Sequence, residues 1–216
     1  KRMKDEEYDF DDLKSLAAMG STGKYKSKIY SQIFQSPLAI SLLPSTFNTT
    51  IHLKELGPCH QQILLPHEMF SSLYHSYPET WKRSVIPNMS ALTSFWEEVA
   101  EHPQLVGHPL IAKPDYQKWA VPLGLHGDGV PITGIGKGWA KLFDNWSWTS
   151  LISLGNTSAT YFFIWGCFQA FESQYTVDEF FEVLRWSLLA LFNGKWPEED
   201  HRGKKYDPLS DLGKKV

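Results

Sequence analysis

The order of apolar and polar positions divides the chain into three stretches. The first, residues 1–35, has no apolar periodicity. Asp5, Glu6, Glu7, Asp9, Asp11 and Asp12 lead through Gly20-Ser21-Thr22-Gly23 to Lys24, Lys26 and Lys28, which reads as a flexible charged arm with one short helix before Gly20. The second stretch, 36–118, starts with Pro37, Pro44, Pro58 and Pro66 breaking up short apolar runs, a pattern of loops with one or two strands. It then turns helical. Met69, Phe70, Leu73 and Tyr74 predict a helix over about 67–76. Leu92, Phe95, Trp96 and Val99 predict a second, N-capped at Asn88 or Ser90 and ended before His102-Pro103. These two helices are expected to pack together or on the sheet that follows.

In the third stretch, 119–216, the period shortens to that of strands. Ala120–His126 predicts a short buried strand, and a glycine-rich loop follows from Gly127 to Gly138. Trp146–Leu154 and Ala159–Phe168 predict two more strands, with Gly155-Asn156-Thr157-Ser158 supplying hairpin chemistry between them. Thr176-Val177-Asp178-Glu179 has the spacing of a capping box, and the helix it opens runs to an Asn193-Gly194 stop. Only Asp178, Glu182 and Arg185 form a polar stripe on that helix, so most of its circumference must be buried, against the sheet. The tail from Lys195 to Val216 is polar and reads as extended. The expected fold class is therefore α/β: three sequential strands and a covering helix, preceded by a mainly helical region.

Composition narrows the function. In 216 residues, 42% hydrophobic and 14% aromatic content supports a real core. A formal charge of −3 excludes a surface that holds nucleic acid by bulk electrostatics, leaving room only for a local basic groove. Nine tryptophans exceed ordinary usage several-fold and demand burial or a contact surface. Cys59 and Cys167 are too few for a disulfide framework, and no apolar run is long enough for a membrane span. An intracellular location, the nucleus included, is expected, with no membrane partner. The chain begins at Lys1 and ends without a closing element, so it reads as a piece of something longer.

The densest candidate chemistry is Leu123-Gly124-Leu125-His126-Gly127-Asp128-Gly129-Val130-Pro131. A carboxylate at the end of an apolar strand, flanked by glycines that admit a ligand close to the backbone, is one way to hold a hard divalent cation. Asp128 is the candidate ligand and His126 a second one. Gly-Asp-Gly is also ordinary turn chemistry. The run Gly129 to Gly138 is neither a P-loop nor G-x-G-x-x-G: Pro131 stands where the first P-loop glycine belongs, and Gly138 rather than Ser or Thr follows Lys137. Lys137 and Lys141 remain candidate phosphate contacts. Trp146 and Trp148, two apart, share one face and are candidates either for core packing or for stacking on bases. Cys59, His60 and His67, with His52, have the spacing of no closed structural zinc site.

Leu65-Pro66-His67-Glu68-Met69-Phe70, Val121 to Pro131, Trp146-Ser147-Trp148, Phe163-Ile164-Trp165 and Leu184-Arg185-Trp186-Ser187 together resemble a large uncharacterised protein family multiplied in dinoflagellate algae. The likeness spans about 60–216 and names no activity. Leu123-Gly124-Leu125 followed by Asp128-Gly129 and a proline is similar, more weakly, to the first catalytic strand of CACTA-type transposases. That resemblance implies an incomplete RNase H-like domain over 119–216, with Asp128 as the first carboxylate of a DDE set. It further implies Mg²⁺ or Mn²⁺ as cofactor and DNA as partner, and a homo-oligomer is compatible with it. In the complete protein the activity would be metal-dependent DNA strand cleavage and transfer. Glu179 and Glu182, on the helix after the third strand, are the nearest further carboxylates in the sequence. The alternatives are a non-catalytic domain of a domesticated element that binds nucleic acid or protein, and a metal-dependent phosphoesterase using His126 and Asp128.

Overall fold

Strand β1 (Phe47–Leu53) turns back through Gly57, at φ +70°, into β2 (Gly57–Ile63), forming an antiparallel hairpin that pairs Ile51 with Cys59. The computed structural model describes residues 46–131, 142–210 and 212–215. The charged arm, Lys137 and Lys141 thus lie outside the described residues. Alternate residues Thr49, Ile51 and Leu53 of β1 are buried, as the period-2 rule requires of a strand with one covered face. Helix α1 (Pro66–Ser76) starts on a proline, whose missing N–H costs nothing at a helix start. Where the sequence suggested only an ending at Tyr77-Pro78, a second proline-initiated helix, α2 (Pro78–Ser84), begins.

Helix α3 (Met89–Glu98) begins as expected, with the Asn88 side chain accepting the Ala91 N–H at 2.8 Å. It does not pack on α1. Leu92 and Trp96 instead build a small separate core with Leu110, Tyr116 and Ala120, and the Trp96 indole donates to the Ala120 carbonyl at 2.8 Å. The loop residues between, through a helical turn at Tyr116–Trp119, supply the other half of that core.

The second sheet is an antiparallel meander in the order β3 (Leu123–Pro131), β4 (Leu142–Ser150), β5 (Phe162–Phe168). Three strands stand where three were expected, with two corrections. The stretch Gly127–Pro131, read as the start of a loop, continues β3, because Trp146 of β4 lies over Gly127: a Cβ there would sit 2.5 Å from its ring. Asp128 is therefore not at the strand end. The β4–β5 connection is not a tight hairpin either. It runs from 151 to 161 and contains a helical turn, Thr157–Thr160, whose N-cap Asn156 accepts the Ala159 N–H at 3.2 Å.

Helix α4 (Thr176–Asn193) closes on Gly194 in the left-handed conformation, φ +64°. Its start differs from the expected box. Ser173 and Thr176 make the reciprocal pair one turn earlier: the Ser173 N–H donates to Thr176 Oγ1 at 2.8 Å, and Ser173 Oγ accepts from the Tyr175 N–H at 3.2 Å. Glu179 is thereby released to reach β1, where it accepts the His52 backbone N–H and pairs with His52 Nδ1, both at 2.6 Å. Phe180, Val183 and Leu184 of α4 fill the main core with Trp148, Ile164 and Trp165. The tail is folded rather than extended. A bridge pairs Glu199 with Lys205, and Lys215 Nζ reaches the buried Glu68 carboxylate at 2.6 Å.

Candidate functional site

The pleat assigns residues of the meander to two faces. Toward α1 and α4 point Trp146, Trp148 and Trp165: Trp165 stacks on Phe180 with ring centroids 4.8 Å apart, Trp146 meets Phe181 edge-on at 5.0 Å, and Trp148 stacks on Phe162 at 4.5 Å. Trp148 is 1% exposed. Trp148 and Trp165 are core and half-buried Trp146 packs against it, so the rings of Trp146 and Trp148 considered for base stacking are engaged in packing. Glycines serve the rings. Gly127 leaves space for Trp146, and on the other face Gly166 leaves space for Phe143, whose ring would lie 2.4 Å from a Cβ.

The opposite face carries the candidates from the sequence. His126 and Asp128 are exposed there, directly across from Ser147 and Asn145 of β4. The Tyr161 ring stands edge-on to His126 at 5.4 Å. Asn145 Oδ1 is buried and has no hydrogen-bond partner among the described residues, and its residue is the cross-strand neighbour of Asp128. Cross-strand neighbours on one face hold their Cβ atoms about 5 Å apart, which puts the Asp128 and Asn145 side chains side by side on the sheet. No group of three His, Cys, Asp or Glu side chains converges among the described residues. A Mg²⁺ ion in a phosphoryl-transfer site commonly takes one or two oxygens from protein and the rest from water and substrate phosphate, and the Asp128 and Asn145 oxygens fit that smaller demand. Glu179 is held by His52, and Glu182 lines a recess beside Arg185 and Arg202, so neither joins Asp128.

Two polar clusters escaped the reading of the sequence. The first lies on the packed face at the β3–β5 end of the sheet. Asp144 accepts from the Gln169 side-chain amide at 2.9 Å and lies against Glu172. Burial, then the hydrogen bond and the charge of Asp144, push the Glu172 carboxyl up to about 7. Burial and the same two carboxyls push the Cys167 thiol up to about 11, which makes it inert at neutral pH. Glu172 also bridges Leu53 of β1, so this carboxyl pair sits at the junction of the two sheets. A signal existed: Asp144, the only acid in β4, sits two residues from Trp146 and so shares its face.

The second cluster joins α1 to α4 through His67 and Ser187. His67 is 6% exposed, and its Nδ1 meets the hydroxyl of fully buried Ser187 at 2.8 Å. The His67 backbone N–H donates to the same oxygen at 3.3 Å, so Ser187 Oγ holds both the main chain and the ring of His67. Burial, reinforced by Lys215, lowers the His67 pKa to about 4. Ser187 has no exposed surface, so the pair locks α1 to α4 rather than attacking a substrate. Among the described residues Cys59, His52 and His60 form no metal-ligating group with His67. No helix among the described residues is long and apolar enough to cross a membrane. The chain matches no family model, no curated protein and no solved structure.

Proposed function

We propose that 119–216 is the opening part of an RNase H-like domain from a mobile-element-derived protein, and that Asp128 supplies the first carboxylate of a metal-dependent DNA strand-cleavage and transfer site. The observation that carries the reading is the arrangement around β3. An antiparallel three-strand meander is followed by a helix on one face, and Asp128 stands on the other face, on the outer strand of the described sheet, beside the orphaned Asn145 oxygen. Among the described residues no strand pairs with the outer edge of β3, which leaves room for a further strand bringing a second acid. On this reading the remaining carboxylates belong to other parts of the parent protein, and two metal ions about 4 Å apart, held by the complete set, would activate the nucleophile and stabilise the leaving oxygen.

A second reading is favoured by the apolar side chains near Asp128. Val130 at 42% and Phe163 at 44% exposure make the same face a contact surface for protein or nucleic acid without chemistry. Calorimetric titration of the chain with Mn²⁺ separates the two. The nuclease reading expects weak, saturable binding that Asp128→Asn abolishes and that Glu179→Gln leaves intact. Equal heats from the wild type and Asp128→Asn would leave Asp128 as a strand residue and give the face to the second reading.

A further inference from the structure

Away from the sheet, where α1 meets the C-terminal end of α4, lies a cavity of about 250 Å³ with Phe70, Tyr74, Leu191 and Trp196 as its apolar walls. Its polar lining is His67, Ser71, His75 and Lys195, all hydrogen-bond donors or potential cations, and no carboxylate lines it. His67 engages Ser187 through Nδ1, which leaves Nε2 on the ring edge not used by Ser187. Lys195 is exposed and makes no ion pair among the described residues. Lys215 Nζ lies 4.8 Å from the Trp196 ring, placing a second cation behind the wall, although Glu68 neutralises it.

The end of a helix carries partial negative charge that would repel an anion. Here that charge is already engaged. The Ala190 and Leu191 carbonyls accept from the Gly194 and Lys195 N–H groups, and the Phe192 carbonyl accepts from Lys113 Nζ. The recess lined by Arg185 and Arg202 offers a contrast, because Glu182, Glu199 and Asp200 line it too and cancel its preference for an anion. An apolar cavity with a few donors, a cation at its rim and no acid is complementary to an apolar body bearing one negative group.

We propose that this cavity binds a small planar aromatic carboxylate, its ring among Phe70, Tyr74 and Trp196 and its carboxylate toward Lys195 and His67. The test is titration of the full chain with 2-naphthoate, followed by amide ¹H–¹⁵N shifts, with the neutral 2-naphthamide as control and Lys195→Glu as the variant. Lys195 is exposed, so its replacement leaves the fold intact, which the unperturbed spectrum of the variant verifies. The expected result is saturable shifts confined to 67–75 and 190–196, weaker binding of naphthamide, and a loss of naphthoate affinity of about tenfold in Lys195→Glu. Shifts that do not saturate or that fall elsewhere would overturn the proposal. So would naphthamide binding as tight as naphthoate, or unchanged naphthoate affinity in the variant.

Discussion

On one face of the β3–β4–β5 sheet Trp146 and Trp165 meet Phe180 and Phe181 of α4 and Trp148 meets Phe70 of α1; on the other, His126, Asp128 and Phe163 stand exposed. Strands β3 and β4 supply both sets from alternate positions, whereas in β5 a register shift opposite Trp146 and Ser147 puts Phe163 and Trp165, two residues apart, on opposite faces. Large rings crowd one face, and Gly127 of β3 leaves room for one of them, Trp146. The motif Gly127-Asp128-Gly129 therefore has two layers. Its glycines answer to packing, since Gly127 faces the Trp146 ring and a Cβ at Gly129 would come within 3.0 Å of Asp144 Oδ1. Its aspartate answers to whatever meets the open face.

Deleting a ring from each face gives the widest contrast. Trp148→Ala should cost about 3–5 kcal/mol, the range for emptying a buried aromatic site, whereas Phe163→Ala on the open face should stay within about 1 kcal/mol. Urea unfolding midpoints measure both. Similar losses for the two variants would mean that the open face is covered in solution and that Phe163 belongs to an interface.

A smaller effect separates the faces by pH. Glu172, at the edge of the packed face, binds its proton more tightly folded than unfolded, so its contribution to stability is complete below about 4.5 and is lost as pH rises to about 7. His67 acts in the opposite sense. It resists protonation in the fold, so its contribution is present above about 6.5 and is lost as pH falls through about 4, and His201, also lowered by burial, adds to this limb. In Glu172→Gln the opposing slope is gone, and the unfolding midpoint should climb more steeply between pH 4.5 and 6.5 than in the wild type, then level off. A pH profile parallel to the wild type would show that Asp144 and Glu172 do not share a proton in the folded protein.

Much of this fold was legible because local rules and packing agree. Asn88 caps α3, Gly194 ends α4, and the long apolar helix covers a three-strand sheet as its pattern demanded. The misreadings arose where a distant partner decides. Gly127 looks like a loop residue until Trp146 is placed over it, and Glu179 looks like a capping residue until His52 is brought beside it from 127 positions away. The tail looked extended for lack of apolar residues, but it is tied down from a distance, its end by the ion pair of Lys215 with buried Glu68 and by the contact of Lys215 with Trp196. The site was legible as one residue, Asp128. Its neighbour Asn145 depended on register, which no spacing in the sequence specifies.

Paramagnetic broadening by Mn²⁺ bears most directly on the open-face assignment, because the two faces carry different side-chain amides. Asn145 lies beside Asp128 on the open face, whereas the Gln169 amide donates to Asp144 on the packed side. With substoichiometric Mn²⁺, the Asn145 side-chain NH₂ resonances should broaden first, the Gln169 pair should remain sharp, and Asp128→Asn should remove the effect. Broadening of Gln169 ahead of Asn145, or the same broadening in Asp128→Asn, would place the metal with Asp144 and Glu172 and contradict the assignment of Asp128 as the first carboxylate of the site.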